Sequence, residues 1–171
     1  QECSRVDHFQ RRNQKLHCED VPLEAIASEY GTPTYVYSQA TISRHVRVLQ
    51  EALEGLPHII CYAVKANANL AVLDLLQGLG CGFDAVSVGE LARVSHIQAN
   101  PEKTIVSGVG KRDDEIEAAL DAGILYICAE SREELEAIGK IAARRNMRAR
   151  VSIRVNPDVD AKTHPYISTG L

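Results

Sequence analysis

The sequence predicts an α/β protein in which a parallel sheet is covered by helices. Short β-branched runs begin near residues 58, 82, 104, 124 and 150. Between successive runs lies one stretch with apolar residues at helical spacing. Such regular alternation brings each strand back parallel to the last, because a crossover helix returns the chain to the same end of the sheet. The repeat length suits a (β/α)8 barrel, which needs about 250 residues for eight units. A doubly wound open sheet alternates in the same way, and the pattern alone does not separate the two.

The elements follow in order. His58 to Val64 is an apolar run of strand formers, and Leu70 to Leu79 carries helical periodicity. Phe83 to Val86 is the second strand, followed by a helix from Val88 to Ile97. Thr104 to Val106 is the third, closed by Ser107-Gly108-Val109-Gly110. The next helix, Asp113 to Ala122, opens on acidic residues that favour its dipole, and Gly123 stops it. Ile124 to Cys128 is the fourth strand. Ser131 then reads as an N-cap, with Glu134 three residues on as its capping-box partner, opening a helix to Arg145. Arg150 to Val155 is the last strand, ended by Asn156-Pro157. Ahead of the repeats, Val21 to Tyr30 reads as an amphipathic helix ended by Gly31, and Thr34 to Tyr37 as a strand. Ser38 to Leu53 reads as a long helix capped by Ser38 or Thr41.

The 171 residues are 45% hydrophobic and 25% charged, enough apolar material for a core. A net charge of −4 argues against a nucleic-acid-binding surface. No apolar run is long enough to span a bilayer. Five cysteines stand singly with no CxxC pair, which favours a reducing, cytoplasmic setting, and the histidines lack metal-ligand spacing.

One lysine carries a chemical possibility. Lys65, in Tyr62-Ala63-Val64-Lys65-Ala66-Asn67, directly follows an apolar strand, at the barrel end where active sites are built. Partly desolvated there, a lysine has a lowered pKa and can form a Schiff base with a carbonyl cofactor. Otherwise it leaves the core and reaches water.

The segment from Tyr62 to Gly80, with Val72, Leu73 and Leu76 at the expected spacing, resembles the attachment motif of the ornithine, diaminopimelate and arginine decarboxylases. Those enzymes share an alanine-racemase-like barrel. Gly82-Phe83-Asp84-Ala85-Val86-Ser87 with Gly89-Glu90-Leu91, then Ser107 to Lys111, Glu130-Ser131 and Arg154-Val155-Asn156-Pro157, resemble the following turns of that family. Lys162 to Gly170 looks like its diaminopimelate branch. One stretch departs from the pattern: Ser95-His96-Ile97-Gln98 stands where the family has apolar and small residues ending in glycine, which implies an altered helix cap.

The resemblance implies a pyridoxal 5'-phosphate enzyme with Lys65 as the cofactor-bearing lysine. It places Asp84 near the cofactor, although Asp84 could equally cap the helix from Val88. It turns Arg154 toward the cofactor ring, near the phenolic oxygen, where the residue alone would read as a surface charge. His164 is either a loop histidine or an active-site one. Gly108 and Gly110 read as turn residues, since the resemblance places the family's phosphate-binding glycines later than Leu171. The implied reaction converts meso-2,6-diaminopimelate to L-lysine and carbon dioxide, in a homodimer with a small amino-acid substrate. Arginine, ornithine or carboxynorspermidine decarboxylation, and a non-catalytic cofactor-binding homologue, are the alternatives.

The expected organisation is an N-terminal extension, residues 1–37, whose strand belongs to a second β domain, and an incomplete (β/α)8 barrel, residues 38–171. The chain is thus expected to be an N-terminal fragment, with apolar inner-face residues such as Ile59 and Ile153 left exposed.

Overall fold

A computed structural model describes residues 7–156. Their contacts divide into two compact units, residues 7–58 with 75–80 and residues 59–74 with 81–156.

The first unit opens with a hairpin. Phe9–Arg12 (β1) pairs antiparallel with Lys15–Cys18 (β2), Arg12 lying opposite Lys15. The two residues between them, Asn13 and Gln14, have φ of 49° and 65°. Positive φ at both central positions is what a type I′ turn requires, and its twist matches that of the strands. Val21–Pro22 (β3) joins β2, with Val21 opposite Cys18. The helix expected from Val21 therefore starts two residues later, as Leu23–Tyr30 (α1). The strand expected at Thr34–Tyr37 pairs with no described segment, and Tyr35 and Tyr37 stand 90% and 57% exposed. β-branched and aromatic residues favour a strand only where a neighbouring ladder exists to receive them.

Gln39–Ala52 (α2) is capped by Ser38, whose Oγ accepts the Thr41 amide at 3.0 Å. Glu19 locks this cap from outside the helix. Its Oε1 accepts from the Ser38 hydroxyl at 2.8 Å and from the Ala40 amide at 2.9 Å. The Ala40 amide first, and the Ser38 hydroxyl next, hold the Glu19 carboxyl below the usual carboxylate range.

The second unit carries five parallel strands: Cys61–Ala63 (β4), Gly82–Ala85 (β5), Thr104–Val106 (β6), Tyr126–Ala129 (β7) and Val151–Ile153 (β8). Helices Leu70–Gly78 (α3), Val88–His96 (α4), Asp113–Asp121 (α5) and Arg132–Arg144 (α6) separate them. From Leu75 onward, the end of α3 clusters with the first unit. The strand order is β4-β5-β6-β7-β8. A doubly wound sheet reverses its order at a switch point, whereas a barrel wall runs in sequence. The observed order is that of a partial barrel.

Register gives the sheet two different faces. Ala85 pairs with Val106, Val106 with Ile127, and Ala129 with Ile153. Ala85, Val106, Ile127 and Ala129 are buried in one cluster with Leu91 of α4, Ile116 of α5 and Ile138 of α6. Side chains alternate along a strand, so the residues between them face the other way. Ile59 and Ile153 are indeed exposed, at 48% and 69%. Ile153, however, shares the helix-side face with Ala129 rather than the inner face, because the register sets it there.

Two backbone details constrain this unit. A Cβ at Gly82 would lie 1.9 Å from the Lys103 carbonyl oxygen, so β5 can approach that loop only with glycine. The departure noted at the end of α4 is an altered cap. Gln98 sits at φ 56°, where glycine is usual. Its amide donates to Ser95 O and the Ala99 amide donates to Val94 O, completing a Schellman motif without glycine.

Candidate active site

The candidate residues lie at the C-terminal ends of parallel strands, Lys65 after β4, Asp84 in β5 and Arg154 after β8. Lys65 lies in a 3-10 turn, Val64–Ala66, directly after β4. Val64 is completely buried and anchors the turn, which leaves Lys65 pointing out of the core. Its side chain is exposed rather than desolvated, and its ammonium makes no ion pair or hydrogen bond among the described residues. The turn beyond it is tied down by the Tyr62 hydroxyl, which donates to Asn67 O at 3.3 Å.

Asp84 pairs in register with Ala63 and Ile105, placing it on the same face. It does not cap α4. That role belongs to Ser87, whose Oγ accepts the Glu90 amide at 3.2 Å. The Asp84 carboxylate instead accepts from the Ser107 hydroxyl at 2.6 Å, across the ends of β5 and β6. Behind it, burial pushes the Cys61 thiol upward, and the charge of Asp84 adds to the shift.

Arg154 follows β8 and is fixed at its backbone, where its amide donates to Ala129 O at 2.9 Å. Its guanidinium Nη1 donates to Glu130 Oε2 at 2.9 Å. The Glu130 side chain is only 9% exposed, and its other oxygen accepts the Gly108 amide at 2.9 Å. Gly108 and Gly110 take φ of 96° and 68°, as turn glycines do. The Gly108 amide is committed to Glu130 and is not offered to an anion.

A buried ion pair lies beneath this turn. Lys111 and Glu134 are 4% and 7% exposed at the side chain, with Nζ 3.3 Å from the carboxylate. Lys111 Nζ also donates to Gly108 O at 2.5 Å and Cys128 O at 2.6 Å. Glu134 accepts the Glu130 amide at 2.7 Å and the Lys111 amide at 3.2 Å. Ser131 caps α6 as expected, accepting the Glu134 amide at 3.1 Å. The Glu134 carboxylate, by contrast, serves the preceding strand end rather than the Ser131 amide. Ser107, Glu130, Lys111 and Glu134 are thus site residues to which the sequence reading assigned no role in the site. Glu134 was legible only as half of a capping box, and its spacing carries no sign of burial.

His164 and the Lys162 to Gly170 segment lie outside the described residues. Among the described residues no cluster of side chains could hold a metal ion, and no helix is long and apolar enough to cross a membrane.

The family pattern described as pyridoxal-dependent decarboxylase, pyridoxal binding domain, matches residues 39–171. The chain belongs to this family. It is 52% identical over 166 residues to a diaminopimelate decarboxylase of Pseudomonas aeruginosa, covering 97% of this chain and 40% of that protein. It is 50% identical over 167 residues to the diaminopimelate decarboxylase of Vibrio cholerae, again covering 97% and 40%. The chain therefore spans about two-fifths of the length of these curated relatives. A crystal structure of diaminopimelate decarboxylase from Helicobacter pylori, complexed with L-lysine, superposes with a TM-score of 0.81 at 45% identity, covering 87% of this chain and 38% of that one. The lysine/ornithine decarboxylase of Vibrio vulnificus, complexed with putrescine, gives 0.67 at 27% identity, covering 78% and 35%.

The described residues fit the aldehyde end of pyridoxal phosphate. A primary amine without a partner among the described residues suits condensation with a carbonyl. They do not supply an open amide cradle for the phosphate at Gly108.

Proposed function

We propose that Lys65 bears the cofactor and that the protein carrying this chain decarboxylates meso-2,6-diaminopimelate to L-lysine and carbon dioxide. The observation that carries the site assignment is the exposed Lys65 side chain directly after β4, without an ion pair or hydrogen bond among the described residues. Its amine would hold the cofactor through the aldehyde. When bound, the cofactor supplies an electron-withdrawing ring that takes up the electron pair left by the departing carboxylate. Asp84, held by the Ser107 hydroxyl, presents a fixed acceptor. Arg154 presents a cation suited to an anionic oxygen of the ring, and Glu130 limits its movement. Orientation of the breaking bond is the protein's main contribution, since a reacting group already held in place avoids most of the entropic cost.

The substrate assignment is supported by the diaminopimelate decarboxylase relatives at 52% and 50% identity and by the lower likeness to the lysine/ornithine enzyme. The same reading treats residues 38–171 as barrel and residues 1–37 as an extension contributing to a second β domain. The family pattern's start at residue 39 supports that division. A cytoplasmic homodimer acting on a small amino acid completes the reading; the scattered single cysteines suit a reducing compartment.

Borohydride reduction of the cofactor-loaded protein, followed by peptide mapping, is the direct test. The label should fall on Lys65, and Lys65→Ala should abolish both the label and the bound-cofactor absorbance. Label on another lysine overturns the site assignment. Comparable turnover of ornithine or arginine overturns the substrate assignment, because a site built for the second amino-carboxylate centre rejects analogues lacking it.

A further inference from the structure

We infer that Glu130 is the positioning residue that sets the direction of Arg154, and that the Lys111–Glu134 pair holds Glu130 in place. The inference rests on the reading of Arg154 as a cofactor-facing cation and deepens it.

The Arg154 side chain is 55% exposed, and Glu130 is its one charged partner among the described residues. A long, half-exposed arginine left to itself samples many rotamers. Here one end of the Glu130 carboxylate receives Arg154 Nη1 and the other receives the Gly108 amide, both at 2.9 Å. That second contact prevents the carboxylate from following the arginine into solvent.

The Glu130 backbone is fixed as well. Its amide donates to Glu134 Oε2 at 2.7 Å, and Glu134 is itself paired with Lys111. Lys111 reaches back to Gly108 O and Cys128 O. The chain of contacts therefore runs from the ends of β6 and β7 to the guanidinium beyond β8. A carboxylate buried this well is retained only if its hydrogen bonds are met, and both of its oxygens are occupied. Glu130, Lys111 and Glu134 need not touch the substrate for the arrangement to matter.

The test uses the full protein in two arms. In the first, cofactor-free protein is treated with phenylglyoxal, an arginine-selective reagent, and the rate of Arg154 labelling is read by mass spectrometry. Glu130→Gln keeps the shape and an acceptor for Gly108 but loses the charge that grips Arg154. Labelling of Arg154 should rise roughly tenfold, the equivalent of one charge-assisted hydrogen bond, with Arg132 as an unaffected internal control. In the second arm, the pH midpoint of bound-cofactor absorbance is compared for Glu130→Gln, Arg154→Ala and the double variant. The two single shifts should agree in sign and the double variant should add little to Arg154→Ala.

Unchanged labelling in Glu130→Gln overturns the positioning role. A raised labelling rate with no shift in Arg154→Ala overturns the placement of Arg154 at the cofactor, and with it the purpose assigned to Glu130. A shift in Glu130→Gln that persists undiminished on top of Arg154→Ala shows that Glu130 acts by another route, which also overturns the proposal. Should Glu130→Gln fail to fold by circular dichroism, Glu130→Asp provides the second variant. It keeps the charge but is too short to hold Gly108 and Arg154 together, and it should give the same labelling increase.

Discussion

Replacing Lys111 with methionine tests the buried ion pair most directly. The substitution preserves much of the side-chain volume while removing the ammonium. Glu134 would then remain buried with the amides of Glu130 and residue 111 but without its counter-charge. The carbonyls of Gly108 and Cys128 would each lose a donor. Removing one partner of a buried pair costs about 3–5 kcal/mol, because the remaining charge stays uncompensated. Net stability is only about 5–15 kcal/mol, so the loss should be conspicuous. At about 2–4 °C per kcal/mol for a domain of 150–250 residues, the unfolding midpoint should fall by roughly 6–20 °C. Urea titration of the full protein would read the same loss as a lower midpoint at constant slope. Pairing Lys111→Met with Glu134→Leu should recover part of it, with a coupling of about 0.5–3 kcal/mol. A loss under about 1 kcal/mol, or strictly additive single effects, would refute the reasoning.

Other substitutions probe other parts of the fold. Gly82→Ala places a Cβ 1.9 Å from the Lys103 carbonyl and should destabilise by about 1–3 kcal/mol in thermal unfolding; an unchanged midpoint would mean the strand can shift freely. Gln98→Gly removes a left-handed residue from the α4 cap and should stabilise by about 0.5–1 kcal/mol, the left-handed strain relieved less the entropy of glycine. Glu19 has a depressed carboxyl in the folded state, so its contribution is present above the ordinary carboxylate value and is lost as pH falls through the lower, folded value. Glu19→Gln should accordingly flatten the acid limb of a stability-against-pH curve, and an unaltered limb would show that the α2 cap does not depend on that charge.

The second unit was largely legible because each of its signals is local. Gly123 ends α5, Ser131 caps α6, and Thr104–Val106 forms the strand that its composition predicts. The place of Lys65 directly after a strand was legible from the apolar run before it. The hairpin of β1 and β2 was not, since its turn uses Asn13-Gln14 where Asn-Gly is the familiar signal. Thr34–Tyr37 had the composition of a strand without a described partner, and partnership is a property of the fold rather than of the segment. The Glu130 network escaped for a similar reason. Its links from Gly108 to Glu130, from Lys111 to Glu134 and from Glu130 to Arg154 span 22 to 24 residues between successive strand ends, where no helical or strand period connects them.

The order of the parallel sheet also bears on how the chain acquires its structure. Every strand from β5 to β8 pairs with the strand that precedes it in sequence, so each new ladder closes over a single α-helix and its loops. Closure over such a short span carries a modest entropic cost. The central strand of a doubly wound sheet must wait for neighbours made much later, but here a finished edge is available whenever the next strand emerges. Synthesis and sheet growth can therefore proceed in the same direction, one strand and one helix at a time, with β4 as the first template and each completed unit serving as the template for the next.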